Sequence, residues 1–230
     1  MRIDVVLATS LGDGPADAVR RARMLVAARP GTELRIRIPA GAPTSITTSA
    51  EDAAATPGVL SEIAAAENDG ADAVIVNCTA DTGVVEARKR VAIPVIGVSE
   101  TAFHRAAELS ERFSVLTFAE RIAPRFEAMA VRWGMADRLA SVRSVEMPLE
   151  EIDDFGLLAA ALLDQAAACV LQDGAQVVVL GCTDFENAAG LVEEGLAARG
   201  IGVPLLRPYD LGLREAEMLV DGRMRVRAGA

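Results

Sequence analysis

The chain has 230 residues, 51% of them apolar and only 3% aromatic, with a formal net charge of −10 and an isoelectric point near 4.7. That length accommodates one large α/β domain or two small ones and buries a core without disulfide staples. The acidic balance and the scarcity of aromatic stacking surfaces argue against nucleic acid as the main partner.

Residues 3–9, IDVVLAT, form a short apolar run that suits a buried strand. Residues 15–28 follow with helical spacing, and Pro15 stands where a helix can begin. Residues 33–38, ELRIRI, alternate like a half-buried or edge strand. Residues 39–56 are rich in Pro, Gly, Ser and Thr and read as a loop suited to substrate contacts. Residues 57–68 read as a helix that stops at Gly70. A strand at 72–78, a helix at 81–90, a strand at 93–98 (IPVIGV) and a helix at 99–112 with Ser99 as N-cap come next. FSVLT at 113–117 then opens a second series. It continues with a helix at 121–133, a strand at 142–147, a long helix at 155–172, a strand at 176–182, a helix at 185–199, a strand at 203–206 and a helix at 210–220.

Strands alternating with helices imply parallel sheets covered on both faces. The order of elements in 2–98 repeats in 113–207. The expected fold class is therefore α/β, with two pseudo-symmetric parallel-sheet lobes and an active-site cleft between them. The N-terminal lobe spans 1–98 and the C-terminal lobe 99–207, with 208–230 packing back on the first. Neither lobe carries GxGxxG or a Walker sequence, so no nucleotide cofactor is called for. A metal site is not expected either, because CxxC and HExxH are absent and His104 is the only histidine. The most apolar helix is broken by Gly156, Asp164 and Gln165, which argues against a membrane span. No leader is visible in MRIDVVLATSLGDG, and three cysteines make no secreted framework. The expectation is a cytoplasmic chain with reduced thiols.

One stretch occurs twice. Residues 69–81, DGADAVIVNCTAD, align without a gap with residues 173–185, DGAQVVVLGCTDF. Each copy reads Asp-Gly-Ala, an apolar run, then Cys-Thr, which points to two similar half-units. Each cysteine falls at the C-terminal end of a buried strand, where open α/β sheets bind ligands. Cys78 and Cys182 are therefore expected to face one pocket. A following helix N-terminus would favour the thiolate and seat an enolate oxygen. Thr183 and Glu186 have capping-box spacing, whereas Asp81 competes with Thr79 as the cap on the first side.

Two opposed thiols suit inversion of a carbon next to a carbonyl. One thiolate removes the proton and the other thiol returns one to the opposite face, with the carbanion held as an enolate. An unperturbed thiol titrates at about 8.5, so a modest depression brings it to working pH. Thr9, Ser45, Thr79, Thr117 and Thr183 are the candidate substrate-binding residues at strand ends and loops. Cys169, in the middle of AAACVL, reads as core packing, and His104 as a surface or packing residue. Asp81 and Asp184 read as helix caps rather than bases.

VIVNCTAD at 74–81 with Gly83, IPVIGV at 93–98, FSVLT at 113–117 and VVLGCTDF at 178–185 resemble the aspartate/glutamate/hydantoin racemase superfamily. The likeness is nearest to its hydantoin racemase branch and covers nearly the whole chain. It implies two pseudo-symmetric lobes, cofactor-independent racemisation of a small chiral carbon acid by Cys78 and Cys182, and a homo-oligomer. Two segments depart from the hydantoin racemase pattern. Ala8-Thr9-Ser10-Leu11 stands in place of an Asn-Pro-Asn-Thr-like segment, and Thr79 and Thr82 replace Phe and Pro around Asp81. These positions bear on substrate recognition. A maleate-type cis–trans isomerase with a thiolate nucleophile, and a non-catalytic small-molecule binding module, are the alternatives.

Overall fold

The computed structural model describes residues 1–148 and 151–228. Residues 229 and 230 of the expected C-terminal segment lie outside the described residues. The chain divides into two compact units, Met1–Thr101 together with residues from Tyr209 onward, and Ala102–Pro208.

The first unit is built on a four-stranded parallel sheet in the order β2-β1-β3-β4. Its strands are β1 (Arg2–Val6), β2 (Glu33–Arg37), β3 (Ala73–Val76) and β4 (Val95–Gly97). The helices are α1 (Pro15–Val26), α2 (Ser49–Asn68), α3 (Val84–Ala87), the start of α4 (Val98–Leu109), and α8 (Pro208–Ala228) from Tyr209 onward. Side chains alternate along a strand, so the two central strands face two cores. Val6, Val74 and Val76 pack with Val59, Ile63 and Ala66 of α2. Ile3, Val5 and Ile75 pack with Met24 of α1 and with Tyr209 and Leu213 of α8. The α8 helix is tied down by polar bonds as well. Tyr209 Oη donates to the Met24 carbonyl at 3.0 Å. The buried Glu217 accepts from the Arg29 N–H at 3.1 Å and Thr32 Oγ1 at 2.9 Å.

The second unit repeats the plan, with a four-stranded parallel sheet in the order β6-β5-β7-β8. The strands are β5 (Phe113–Thr117), β6 (Leu139–Ser144), β7 (Val177–Leu180) and β8 (Leu205–Leu206). The remainder of α4, with α5 (Ala123–Arg132), α6 (Phe155–Leu171) and α7 (Ala189–Ala198), belongs to it. Every residue of β5 and β7 is buried, as the covered strands of a parallel sheet require.

The Asp-Gly-Ala that opens each repeat has the same structural basis in both units. Asp69 follows α2 and accepts from Arg37 Nη2 at 2.5 Å, and Asp173 follows α6 and accepts from Arg143 Nε at 2.5 Å. The two arginines hold equivalent register positions, opposite Val6 on β1 and Leu116 on β5. The glycines, Gly70 and Gly174, turn the chain at φ +82° and +72°, a region that a side chain would disfavour. The alanines, Ala71 and Ala175, are buried, and their N–H groups close the helix ends on Ala66 and Cys169.

Several boundaries differ from the sequence expectation. The helix expected at 57–68 begins at Ser49 and runs through Pro57. Its start is fixed by a capping box, in which Thr48 Oγ1 accepts the Glu51 N–H and Glu51 accepts the Thr48 N–H. The helix expected at 81–90 shrinks to the four residues of α3. The strand expected at 142–147 is shifted to Leu139–Ser144. The helix expected at 185–199 splits into a 3-10 turn, Thr183–Asn187, and α7. Among the described residues no helix is long and apolar enough to cross a membrane.

Candidate active site

In the first unit β3 ends at Val76 and the chain runs on through Asn77 to Cys78. Alternation turns Cys78 to the α2 side, where it packs against the cluster of Val74, Val76 and Val59. Asn77 points the other way, its Nδ2 lying 3.2 Å from Met24 Sδ. Cys78 is half-buried, and its carbonyl accepts the Asp81 N–H at 2.9 Å, which folds 78–81 into a tight turn. Beyond the turn, Thr82 is fully buried. Its hydroxyl donates to Asp52 Oδ1 at 2.6 Å, and Thr82 Oγ1 also lies 3.7 Å from Cys78 Sγ.

Asp81 adopts φ 50°, which Asp tolerates better than most residues. Its carboxylate accepts the N–H groups of Ser99 at 3.0 Å and Glu100 at 2.8 Å. Asp81 therefore caps α4, and the expected cap, Ser99, instead donates its hydroxyl to the Thr79 carbonyl at 2.8 Å. The two bonds strap the turn after Cys78 to the first turn of α4. Desolvation pushes the Asp81 carboxyl up to about 7, with the Glu100 carboxylate adding to the rise and the two N–H donors opposing it.

In the second unit Gly181 joins β7 to Cys182, and its N–H donates to the Leu116 carbonyl of β5 at 2.6 Å. A Cβ on Gly181 would stand 2.6 Å from that carbonyl oxygen, so the position admits glycine alone without a shift. Cys182 is half-buried and extended, and its carbonyl accepts the Phe185 N–H at 3.2 Å. Each cysteine carbonyl thus closes a turn three residues on. The capping box expected at Thr183 and Glu186 does not form, since the 3-10 turn has Cys182 at its N-cap and no side-chain cap bond. With one helix of four residues and one 3-10 turn of five, little macrodipole develops beside either thiol. Individual turn N–H groups are the donors on offer.

The candidate residues sort by unit. Thr9 follows β1, Ser45 lies in the loop after β2, and Cys78 and Thr79 follow β3. The first two loops are joined by the Ser10 N–H donating to the Pro43 carbonyl at 2.7 Å. Thr117 ends β5, and Cys182 and Thr183 follow β7. Both groups lie at the carboxyl edge of a parallel sheet. Thr117 is fully buried, and its Oγ1 has no hydrogen-bond partner among the described residues. All three cysteines are thiols rather than halves of a disulfide. Cys169 sits in the core, where burial pushes its thiol up to about 11. His104 is exposed beside Trp133, with ring centroids 6.3 Å apart. Among the described residues no group of three acidic, His or Cys side chains could hold a metal ion. Asp52 is the residue near Cys78 that sequence reasoning missed, and Thr82 stands out in the sequence only as a departure from the hydantoin racemase pattern. Thr48-Ser-Ala-Glu51 carried the signal, since a helix begun there brings Asp52 into its first turn.

The comparisons agree with this architecture. The family model described as Asp/Glu/Hydantoin racemase matches residues 16–216. A hydantoin racemase from Pseudomonas sp. (strain NS671) is 31% identical over 196 residues, covering 85% of this chain and 77% of that protein. The allantoin racemase from Klebsiella pneumoniae superposes with a TM-score of 0.85 at 25% identity, covering 96% of this chain and 88% of that one. The allantoin racemase from Pseudomonas fluorescens gives a TM-score of 0.82 at 27% identity, covering 96% and 91%. With two parallel-sheet units, a cysteine at the same strand end of each, and a family match over most of its length, the chain belongs to the Asp/Glu/hydantoin racemase family and is a racemase, an isomerase.

Proposed function

We propose that the chain racemises a small cyclic amide of the hydantoin or allantoin kind, with Cys78 and Cys182 as its acid and base. The observation that carries this is the matched placement of the two half-buried thiols after β3 and β7, each in a turn closed on its own carbonyl. The reacting carbon of such a ring sits between a nitrogen and a carbonyl, so its anion is an enolate. A thiolate near its ordinary pKa of about 8.5 is a fitting base for that proton. The thiolate of one cysteine takes the proton, and the thiol of the other delivers one to the opposite face. The sulfurs exchange protonation states, and the carbon is inverted without a cofactor.

The enolate oxygen needs donors aimed at it before the proton leaves. Backbone N–H groups after each cysteine, with the hydroxyls of Thr9, Ser45, Thr79, Thr117 and Thr183, supply them in this reading. Thr117 has the most to gain. A buried hydroxyl without a partner costs about 1–3 kcal/mol, and a substrate oxygen would remove that deficit. A cytoplasmic setting and self-association belong to the same reading. The exposed apolar side chains of Val26, Val131 and Leu171 favour self-association, which sedimentation would measure.

The test is exchange of the ring proton in D₂O, followed with optical rotation, for hydantoin and allantoin substrates. Cys78→Ser and Cys182→Ser should each slow inversion by about 10²–10⁴-fold, the usual worth of a general acid or base. If both variants invert at the parent rate, the two-thiol scheme is wrong. A stable covalent adduct on one sulfur with an unsaturated diacid would favour cis–trans isomerisation instead.

A further inference from the structure

The two cysteines share a fold position but not a neighbour. Four residues after Cys78 stands Thr82, and four residues after Cys182 stands Glu186; both are buried. Thr82 Oγ1 has two polar partners, Asp52 Oδ1 at 2.6 Å and Cys78 Sγ at 3.7 Å. A hydroxyl has a single hydrogen. At 2.6 Å from a carboxylate oxygen that hydrogen belongs to Asp52, in the range of a charge-assisted bond. The Thr82 oxygen is then an acceptor toward sulfur, and the partner it suits is the S–H of a protonated thiol.

The proton order is therefore Cys78 S–H to Thr82 O–H to the Asp52 carboxylate. Ionising Cys78 would place a second negative charge on this chain and leave the Thr82 lone pair facing a thiolate. Both effects disfavour the thiolate, and Thr82 lies in the dry interior, where such effects are strong. The other charges near the turn are already engaged. Glu51 of α2 accepts from the Thr47 and Thr48 N–H groups at 2.7 and 2.9 Å. Asp81, in the same turn as Cys78, is held by the first turn of α4. Glu100 of α4 pairs with Arg88 at 2.7 Å.

We propose that Thr82, backed by Asp52, is a positioning residue that holds the proton on Cys78, so that Cys78 is the acid of the pair in the resting enzyme. This rests on the two-thiol reading above. The resting enzyme then takes the substrate proton on the Cys182 thiolate while Cys78 delivers its own to the other face. After transfer, Cys182 carries the proton and Cys78 is the thiolate. With Thr82 still bonded to Asp52, that thiolate is the stronger base of the pair, which suits it to take the proton back in the return direction.

The experiment is residue-resolved iodoacetamide labelling of the full chain against pH, read by mass spectrometry, with Cys182 as the internal reference. In the parent, Cys78 should label at a higher pH than Cys182. Asp52→Asn removes the charge but keeps an acceptor, and it should speed Cys78 labelling at pH 7 about tenfold, equivalent to one unit in its titration, with Cys182 unchanged. In a Thr82→Val background the same Asp52→Asn change should alter labelling less than about threefold, whereas Thr82→Ser should preserve the full effect. The basic limb of racemisation should also move down by about one pH unit in Asp52→Asn, for the enantiomer that Cys182 deprotonates. Labelling of Cys78 within twofold of the parent in folded Asp52→Asn would overturn the proposal. So would an equal Asp52→Asn effect with and without Thr82. An active Cys78→Ser enzyme, by contrast, would overturn the two-thiol reading and leave the labelling result to judge the hydrogen-bond chain.

Discussion

Gly181→Ala adds a single methyl group between β7 and β5, one residue before Cys182. The new Cβ would lie 2.6 Å from the Leu116 carbonyl oxygen, 2.9 Å from Val115 Cγ1 and 3.0 Å from Phe126 Cζ. The nearest of these is backbone in a hydrogen-bonded strand, so it cannot swing aside as a flexible side chain would. Phe126 is itself buried and in aromatic contact with Phe103, with ring centroids 6.4 Å apart. Overpacking of this kind costs about 1–3 kcal/mol. Lengthening the Gly181 N–H bond to Leu116 costs about 1 kcal/mol more. A loss of about 3 kcal/mol corresponds to a drop in Tm of about 6–12 °C for a chain of this size unfolding as one unit. The strand end must also move, and in the proposed two-thiol scheme a displacement of about 1 Å in Cys182 costs about 10²-fold in rate. The assay is thermal melting with racemisation kinetics at a temperature where both proteins are folded. Gly190→Ala is the control, since its Cβ would meet nothing within 4 Å and alanine favours a helix. If Gly181→Ala melts within about 2 °C of the parent and keeps its rate, the steric argument for glycine before Cys182 fails.

The remaining predictions concern the first unit and the repeat. The folded Asp81 carboxyl is raised to about 7 from an unfolded value of 3.8. The sign is that stability from its protonated form is full below pH 3.8 and is lost as pH rises through 7. Asp81→Asn cannot ionise and still accepts an N–H of α4, so its Tm minus that of the parent should grow between pH 4 and 8, by an amount of order 2–4 kcal/mol in stability; a flat difference would remove the assignment. Gly97→Ala would put a Cβ 2.6 Å from Asp81 Oδ2, and it should lower stability by about 1–3 kcal/mol in denaturant titration, with a smaller loss in an Asp81→Ala background, where the obstructing carboxyl is gone. Thr48→Ala removes the capping box of α2 and should cost about 1 kcal/mol by the same titration. Gly174→Ala must hold φ +72° with a side chain, and should cost about 1–2 kcal/mol.

The parts of the fold legible in the sequence are those set by short-range pattern. Apolar runs such as AVIV and VVVL mark covered strands because no polar side chain interrupts them. Both Asp-Gly-Ala copies mark turns because glycine alone takes their backbone angle cheaply. What stayed hidden depends on partners distant in sequence. Pro57 looks like a helix start, yet the capping box at Thr48 sets the first turn eight residues earlier. Asp81 looks like the cap of its own helix, yet its φ of 50° aims the carboxylate at residues 99 and 100. Thr82 looks like a turn residue, and nothing local shows that it bridges α2 and a sulfur. The repeat made the two cysteines conspicuous; their unlike surroundings emerge only in three dimensions.

Under the two-thiol scheme proposed above, that unlikeness is what the chemistry of inversion asks for. A stereocentre that changes hand exchanges the side from which its proton is held, while its other three substituents differ from one another and must be recognised separately. The machinery that moves protons can therefore be duplicated, but the machinery that recognises the substrate cannot. The chain divides along that line. The Arg37–Asp69 and Arg143–Asp173 pairs, the glycine turns and the carbonyl-closed Cys turns are the same in both units. The residues before and after the thiols are not: Asn77 against Gly181, Asp81 against Phe185, Thr82 against Glu186. Changing one such residue should then separate the two directions of the reaction. Thr82→Glu, which imports the second unit's residue into the first, should make the maximal rates for the two enantiomers diverge or converge relative to the parent. Because the equilibrium constant between enantiomers is one, the ratio of kcat to KM must stay equal for the two directions, so the change has to appear as compensating shifts in kcat and KM. A folded Thr82→Glu protein in which neither parameter moves for either enantiomer would show that the difference around the two sulfurs has no part in the proton chemistry.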